Sequence, residues 1–272
     1  IDRFSMFEGI ERVPFGWEFS EETLVKKWHP KFSFRKECFE DAREKSTNLL
    51  RNAIYELGRN KKLGIVLSGG LDSSLVVGMA RELFSAQGIR TYTAGFVGDN
   101  EFPYAKRVSE LFETTHTEIE LSLEDYLGDK SIIPNLIRFK CEPLHPNETA
   151  LAYAEFQAAK DGCDVILCGE GADDIFGGYG RNFRMYLSFP GGSIGEFVRF
   201  FLDNYRYFSM EERRRFLREE FLTDDVALVL GSTDFLLDFP LQAEDAAIYF
   251  TQKLHTPGLI TRGANAIRFN GL

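Results

Sequence analysis

Apolar side chains recur at three- and four-residue spacing between Cys38 and Leu57, at Phe39, Ala42, Leu49, Leu50, Ala53, Ile54 and Leu57. That rhythm predicts an amphipathic helix. The next apolar run, "LGIVL" at 63–67, has no polar alternation, as expected of a strand buried on both faces in a parallel sheet covered by helices. "SSLVVGMARELFSAQG" then predicts a helix stopped by Gly88,. Beyond it the pattern gives a strand at "TYTAGF", a helix at "FPYAKRVSELF", a strand at "THTEIEL", a helix from about Glu148 to Lys160 and a strand at "DVILC". Strands alternating with helices predict an α/β fold, an open, mostly parallel sheet with helices on both faces.

After Tyr179 the rhythm changes. "EFVRFFLDNYRYF", "SMEERRRFLREEF" and "AEDAAIYFTQKL" all fit helices, and no strand pattern follows. In the second of these, Ser209 and Glu212 have capping-box spacing,. The organisation expected is a lead-in segment over 1–37, an α/β core over 38–180, and a helical extension over 181–272 packed on that core. The many aromatic residues of the extension are read as its core.

A chain of 272 residues can bury roughly three quarters of its unfolded surface without staples. No apolar run approaches the roughly 18 residues that span a bilayer, and nothing reads as a signal peptide, so a cytoplasmic protein is expected, with no membrane partner. The first residue is Ile1 rather than Met, which suggests a processed product, a fragment or part of something longer. A net charge of −10 argues against nucleic acid as partner, because that affinity comes from clustered Lys and Arg. The densest basic run, Arg213–Arg215, is flanked by acids and reads as a solvated helix face. No cysteine pair has CxxC spacing, and no two histidines have helical zinc-site spacing,. Cys163 and Cys168 flank an apolar strand and are expected as buried thiols.

The chemistry is carried by "SGGLDSS", directly after the first strand of the core. A strand that stops at Ser68-Gly69-Gly70 and restarts as a helix at about Asp72 leaves unpaired backbone N–H groups at a helix N-terminus, which is an anion site. The glycines let phosphate oxygens approach the backbone, and Ser68, Ser73 and Ser74 add hydroxyls. Asp72 would repel a bare phosphate, so its presence implies a bridging cation such as Mg²⁺. The run lacks the Gly-Lys-Ser/Thr ending of a Walker loop and the GxGxxG of a dinucleotide fold,. It suits pyrophosphate, and so cleavage between the α and β phosphates of a nucleotide.

"SGGLDSS" resembles the PP-loop of the N-type ATP pyrophosphatases, and "CGEGADDIFGGY" at 168–179 is similar to the SGEGSDExFGGY segment of asparagine synthetases. "RVPFGWEF" with Trp28 and Pro30, "GFVGDNEFPYAKRVSELFETTHTEIEL" and "CEPLHPNETALAYAEF" resemble further parts of that synthetase domain, and the likeness runs from about Val13 to Tyr179. The resemblance implies an ATP-dependent ligase that adenylates a small-molecule carboxylate, releases pyrophosphate, and passes the acyl group to an amine or ammonia with release of AMP. At matching positions Ser68, Gly69, Gly70, Asp72 and Ser73 would hold the pyrophosphate portion of ATP. Leu67, Ala94 and Gly169 would meet the adenosine, Asp72 and Asp173 would bind Mg²⁺, and Glu170 would line the acceptor pocket as a catalytic group beside Asp72 and Asp173. Asp174 stands where the family has glutamate, either as part of the site or as a helix cap.

Departures from the family accompany these matches. Cys141 replaces an aspartate and Cys168 a serine. The family's later lysine has no recognisable counterpart; Lys253 lies in no matching context. Nothing matches the amino-terminal glutaminase domain, so the amine comes from a removed domain, from another subunit or from elsewhere, and a homodimer is compatible with the family. Alternatives are an intramolecular amide-forming relative of the β-lactam or lasso-peptide cyclase type, a non-catalytic nucleotide-binding relative, and a tRNA-thiolating enzyme. The last expects a basic face and often a CxxC pair, and the sequence has neither.

Overall fold

The computed structural model describes residues 5, 7–14, 16–27, 37–84, 88–129, 131–141, 144, 146–180, 184, 187–206, 208–222, 225–232, 248, 251–252, 256, 267–268 and 270–271. The chain divides into two compact units, one of Phe32–Glu170 with Leu259–Leu272, the other of Ile1–Lys31 with Gly171–Gly258.

The first unit is the α/β part. Helix α1 (Phe39–Gly58) precedes strand β3 (Leu63–Val66), followed by α2 (Leu71–Leu83), β4 (Arg90–Phe96), α3 (Phe102–Leu111) and β5 (Thr115–Leu121). Two short helices, α4 (Leu123–Leu127) and α5 (Ile133–Lys140), then lead to α6 (Pro146–Lys160) and β6 (Val165–Leu167). The strands form a parallel sheet in the order β5-β4-β3-β6. The chain therefore winds outward from β3 to β5 and returns to the other side of β3. That reversal makes the β3/β6 boundary a topological switch point, where ligands of open α/β sheets bind at the carboxyl ends of strands.

Alternation along the strands sends side chains to two cores. Leu63, Ile65 and Leu67 pack with Val76, Val77 and Ala80 of α2, Ile54 of α1 and Ala105 of α3. Val66, Tyr92 and Ile166 face the opposite side, against Ala154 and Ala158 of α6 and Cys163. Helices thus cover both faces, as the unbroken apolar run of β3 requires.

Several expectations change in detail. Helix α2 ends at Leu83, before Gly88, because Phe84 leaves the helical conformation (φ −122°, ψ 41°) and buries its ring, which stacks on Tyr55 at 6.3 Å. The stripe of α1 is only partly used: Ile54 is buried and Leu50 half-buried, while Phe39, Leu49 and Leu57 are exposed. Cys163 is buried as expected, but Cys168 is exposed, since it lies past the end of β6.

The second unit holds a hairpin of β1 (Trp17–Ser20) and β2 (Thr23–Lys26), then α7 (Ala172–Phe176), α8 (Ile194–Tyr205), α9 (Met210–Phe216) and α10 (Asp225–Ser232). Phe197, Val198, Phe201 and Leu202 of α8 and Val229 of α10 are buried. Capping boxes start α8 (Ser193 with Glu196) and α9 (Ser209 with Glu212). The expected helix "AEDAAIYFTQKL", Lys253, Trp28 and Pro30 lie outside the described residues, apart from Ile248, Thr251 and Gln252. No described helix is long and apolar enough to cross a membrane.

Candidate nucleotide site at the sheet edge

The turn from β3 into α2 is tied down from behind. The Leu67 N–H donates to Tyr92 O at 2.8 Å, and the Thr93 hydroxyl donates to Leu67 O. The serines then fix the loop's shape: Ser68 N–H donates to Ser73 Oγ (3.2 Å), Gly70 N–H donates to Ser68 Oγ (3.2 Å), and the two hydroxyls pair at 3.0 Å. Gly69 adopts φ +81°, and a Cβ built there would lie 2.5 Å from the Tyr104 carbonyl carbon. Both the left-handed backbone and the approach of α3 therefore demand glycine.

The front of the turn is open. Gly70 is the N-cap of α2 and no side chain caps the helix, so first-turn N–H groups are free to meet an anion. Ser74 Oγ is buried without a hydrogen-bond partner. Asp72, in the first turn, is half-buried and supplies the carboxylate that a hard divalent cation bridging phosphates would need,. Uncapped amides, an orphaned hydroxyl and one carboxylate form a donor set that fits a magnesium-bound polyphosphate.

The second motif meets the first at Gly169. A Cβ on Gly169 would fall 2.8 Å from Ser73 N and 3.2 Å from Asp72 Cβ. The loop leaving β6 therefore crosses directly over the first turn of α2. Glu170 follows, exposed at the end of this unit. Ala94 is half-buried inside β4, packed with the α6-facing core.

Asp173 and Asp174 belong to the other unit, in the first turn of α7. The Gly177-Gly178 turn exists to accommodate Asp173: a Cβ on Gly178 would lie 1.8 Å from Asp173 Oδ1, and the Gly178 N–H donates to Asp173 O at 3.0 Å. Asp174 is fully buried. Its carboxylate accepts from Thr256 Oγ1 (2.7 Å) and the Tyr179 hydroxyl (3.1 Å), and its carbonyl accepts from Gln252 Nε2 (3.3 Å). It is thus an internal anchor, and Gly171 rather than Asp174 is the N-cap of α7. Among the described residues no group of three or more His, Cys, Asp and Glu side chains forms a metal cage.

Glu155 was not foreseen from the sequence, because it sits inside the apolar stretch of α6. It is 2% exposed, and its Oε2 has no hydrogen-bond partner. Burial, with the Glu170 charge as the smaller cause, pushes its carboxyl up to about 9,.

The family model for asparagine synthase matches residues 46–243. The chain belongs to the asparagine synthase family. A relative in Methanocaldococcus jannaschii is 32% identical over 145 residues, covering 53% of this chain and 28% of its own length. Asparagine synthetase [glutamine-hydrolyzing] 1 of Bacillus subtilis is 30% identical over 143 residues, 50% of this chain and 22% of that protein. The chain thus spans about a quarter of the length of these curated relatives. Among solved structures, NMN synthetase from Francisella tularensis aligns over 80% of this chain and 95% of its own at 12% identity, with a TM-score of 0.40.

Proposed function

We propose that this chain is the synthetase part of an ATP-dependent, AMP-forming amide ligase, acting on a carboxylate and an amine in the manner of asparagine synthetases. The observation that supports this best is the crossing of Gly169 over the Asp72–Ser73 turn at the switch point of the sheet. It supports a reading in which the loop leaving β6 and the start of α2 serve one bound molecule.

In this reading the first-turn amides of α2 hold the β- and γ-phosphates, with Ser68 and Ser73 keeping the loop in shape. Asp72 would hold Mg²⁺, which when bound would neutralise charge on the departing pyrophosphate. Leu67, Ala94 and Gly169 border the adenosine. The carboxylate, a poor electrophile, gains AMP as leaving group, and the loop amides stabilise the pyrophosphate as it leaves. Glu170 orients the amine that attacks the acyl-adenylate.

The test is product analysis with aspartate, ammonium chloride, ATP and Mg²⁺. AMP and pyrophosphate are expected, and release of ADP overturns the mechanism. Carboxylate-dependent exchange of labelled pyrophosphate into ATP identifies the acid activated; Asp72→Asn is expected to abolish this exchange, and unaltered exchange removes Asp72 from the metal site.

A further inference from the structure

Between α3 and the sheet lies a polar chain of Ser109, Thr114, Thr91 and His116, in which Ser109 and Thr91 are buried and the other two half-buried. Counting its protons fixes the state of the imidazole. The Ser109 hydroxyl donates to Thr114 O (3.3 Å), and the Thr114 hydroxyl donates to Ser109 Oγ (2.8 Å). Each hydroxyl has one proton, so at the 2.9 Å contact between Thr91 and Thr114 it is Thr91 that donates. Thr91 Oγ1 then has no proton left for His116 Nδ1, 3.0 Å away, and accepts from it. The neutral ring therefore carries its proton on Nδ1. Its bare Nε2 is buried, with no hydrogen-bond partner among the described residues,.

A second proton would have to go on Nε2, where no acceptor waits. Around the ring, Glu118 follows on the same face of β5, and α3 brings Lys106, Arg107 and Glu110. Glu113, in the turn after α3, pairs with Arg81 of α2 at 3.3 Å, and Arg90 of β4 is turned to Asp161 at 3.5 Å. Burial lowers the imidazole from its usual 6.5, outweighing the Glu118 charge and a bond to the Thr91 backbone, both of which favour the cation,. The other end of α3 meets the phosphate turn: a Cβ on Gly69 would lie 2.5 Å from the Tyr104 carbonyl carbon and 2.6 Å from Ala105 N. The 10 residues of α3 thus reach about 15 Å from the hydroxyl chain to that turn.

We propose that α3 is a pH-sensitive lever: a latch of Ser109, Thr114, Thr91 and neutral His116 holds its last turn to the sheet, its first turn braces the phosphate turn at Gly69, and protonation of His116 releases both. The route runs through the helix and not through the strands. The proposal names a regulation of the nucleotide site and rests on the amide-ligase reading for what that site holds. The latch itself does not depend on that reading.

Nitrogen-15 spectra of the wild-type imidazole at pH 7.5 are expected to show a proton on Nδ1 and none on Nε2; the reverse tautomer overturns the latch. Amide hydrogen exchange, corrected for intrinsic rates and referred to α1, is then compared at pH 7.5 and pH 5. Residues 106–111 and 69–73 should lose protection together in the wild type, by about tenfold. His116→Asn keeps an N–H donor at the Nδ1 position and cannot titrate, so its protection should be the same at both pH values. Thr91→Val serves as a second variant should the asparagine fail to fold: it breaks the latch outright, so both segments should already exchange freely at pH 7.5. Equal loss in wild type and His116→Asn, full protection in Thr91→Val, or loss at α3 with the Gly69 turn unmoved overturns the lever. ATP with Mg²⁺ should bind more weakly at pH 5 to the wild type than to His116→Asn. No ATP binding at either pH, alongside exchange that depends on His116, would instead sink the nucleotide reading and leave the lever standing.

Discussion

Gly169 lies so close over Ser73 that a methyl group on its Cα would come within 2.8 Å of the Ser73 backbone nitrogen. The obstacle is main chain, which does not rotate away as a side chain would. Gly169→Ala must push the β6 loop off the first turn of α2. Overpacking of this kind costs about 1–3 kcal/mol, and here the shift falls on the first-turn amides of α2 proposed to hold the phosphates. The expected outcome is a Tm lowered by several degrees together with at least tenfold weaker ATP binding. A variant that binds ATP like the wild type would show that the two loops do not share the nucleotide.

Much of this arrangement was legible in advance. The uninterrupted apolar run of β3, and the regular exchange of helical and strand rhythm after it, fixed a parallel sheet because few other folds bury a strand on both faces. The first glycine motif marked the sheet edge because it follows the apolar strand directly and allows the sharp turn into α2 that Gly69 makes at φ +81°,. What could not be read was whatever lacked a local signature. The β1–β2 hairpin turns through Glu21 and Glu22, both at positive φ (51° and 62°), with no Asn-Gly or Gly to announce it,. The capping box of α4 uses Asp125 where glutamate or glutamine is the usual signal,. Glu155 was hidden for a different reason, since a polar residue in an apolar helix stretch is ordinarily exposed and only the tertiary packing puts this one inside.

Asp174 anchors its unit through long-range bonds, from Thr256 at 2.7 Å and, at its carbonyl, from Gln252. Thr256→Val removes one donor to a fully buried carboxylate and is expected to cost about 1–3 kcal/mol. Thr256→Ser, which restores the hydroxyl, should recover most of it. Urea unfolding of the pair decides the matter, and a valine variant as stable as wild type would mean that Asp174 is held by other partners.

Glu155 also sets a pH dependence of stability. Its carboxyl is raised from 4.5 to about 9 in the folded chain, chiefly by burial. Between those values the folded state binds a proton that the unfolded state has lost. The stabilisation is fully present below about 4.5 and is lost as pH rises through about 9, with a slope approaching ~1.4 kcal/mol per pH unit in between. His116 runs the other way: burial lowers its value from 6.5, so its contribution is present above 6.5 and is lost as pH falls through the folded value. Comparing Glu155→Gln with wild type cancels the histidine. The stability of the variant relative to wild type should grow steadily from pH 5 to pH 9, as read from denaturation midpoints at each pH; parallel curves would contradict the buried acid.

Tyr92 tests the claim that chemistry is confined to the carboxyl edge. Its backbone carbonyl holds Leu67 of the phosphate turn, but its hydroxyl reaches the loop before β6, donating to Asp161 Oδ2 at 3.0 Å. Tyr92→Phe keeps the backbone bond and the ring's packing and removes only the hydroxyl. Asp161 retains Gln157 Nε2 at 2.9 Å and Arg90 at 3.5 Å, so the carboxylate is not orphaned and the loss should be about 1–2 kcal/mol. Because the lost bond lies at the amino end of the strands, pyrophosphate exchange per folded molecule should match the wild type while the Tm falls. Exchange lost in proportion well beyond the unfolded fraction would mean that the two ends of the sheet are energetically coupled, and that the site depends on more of the core than the loops at its edge.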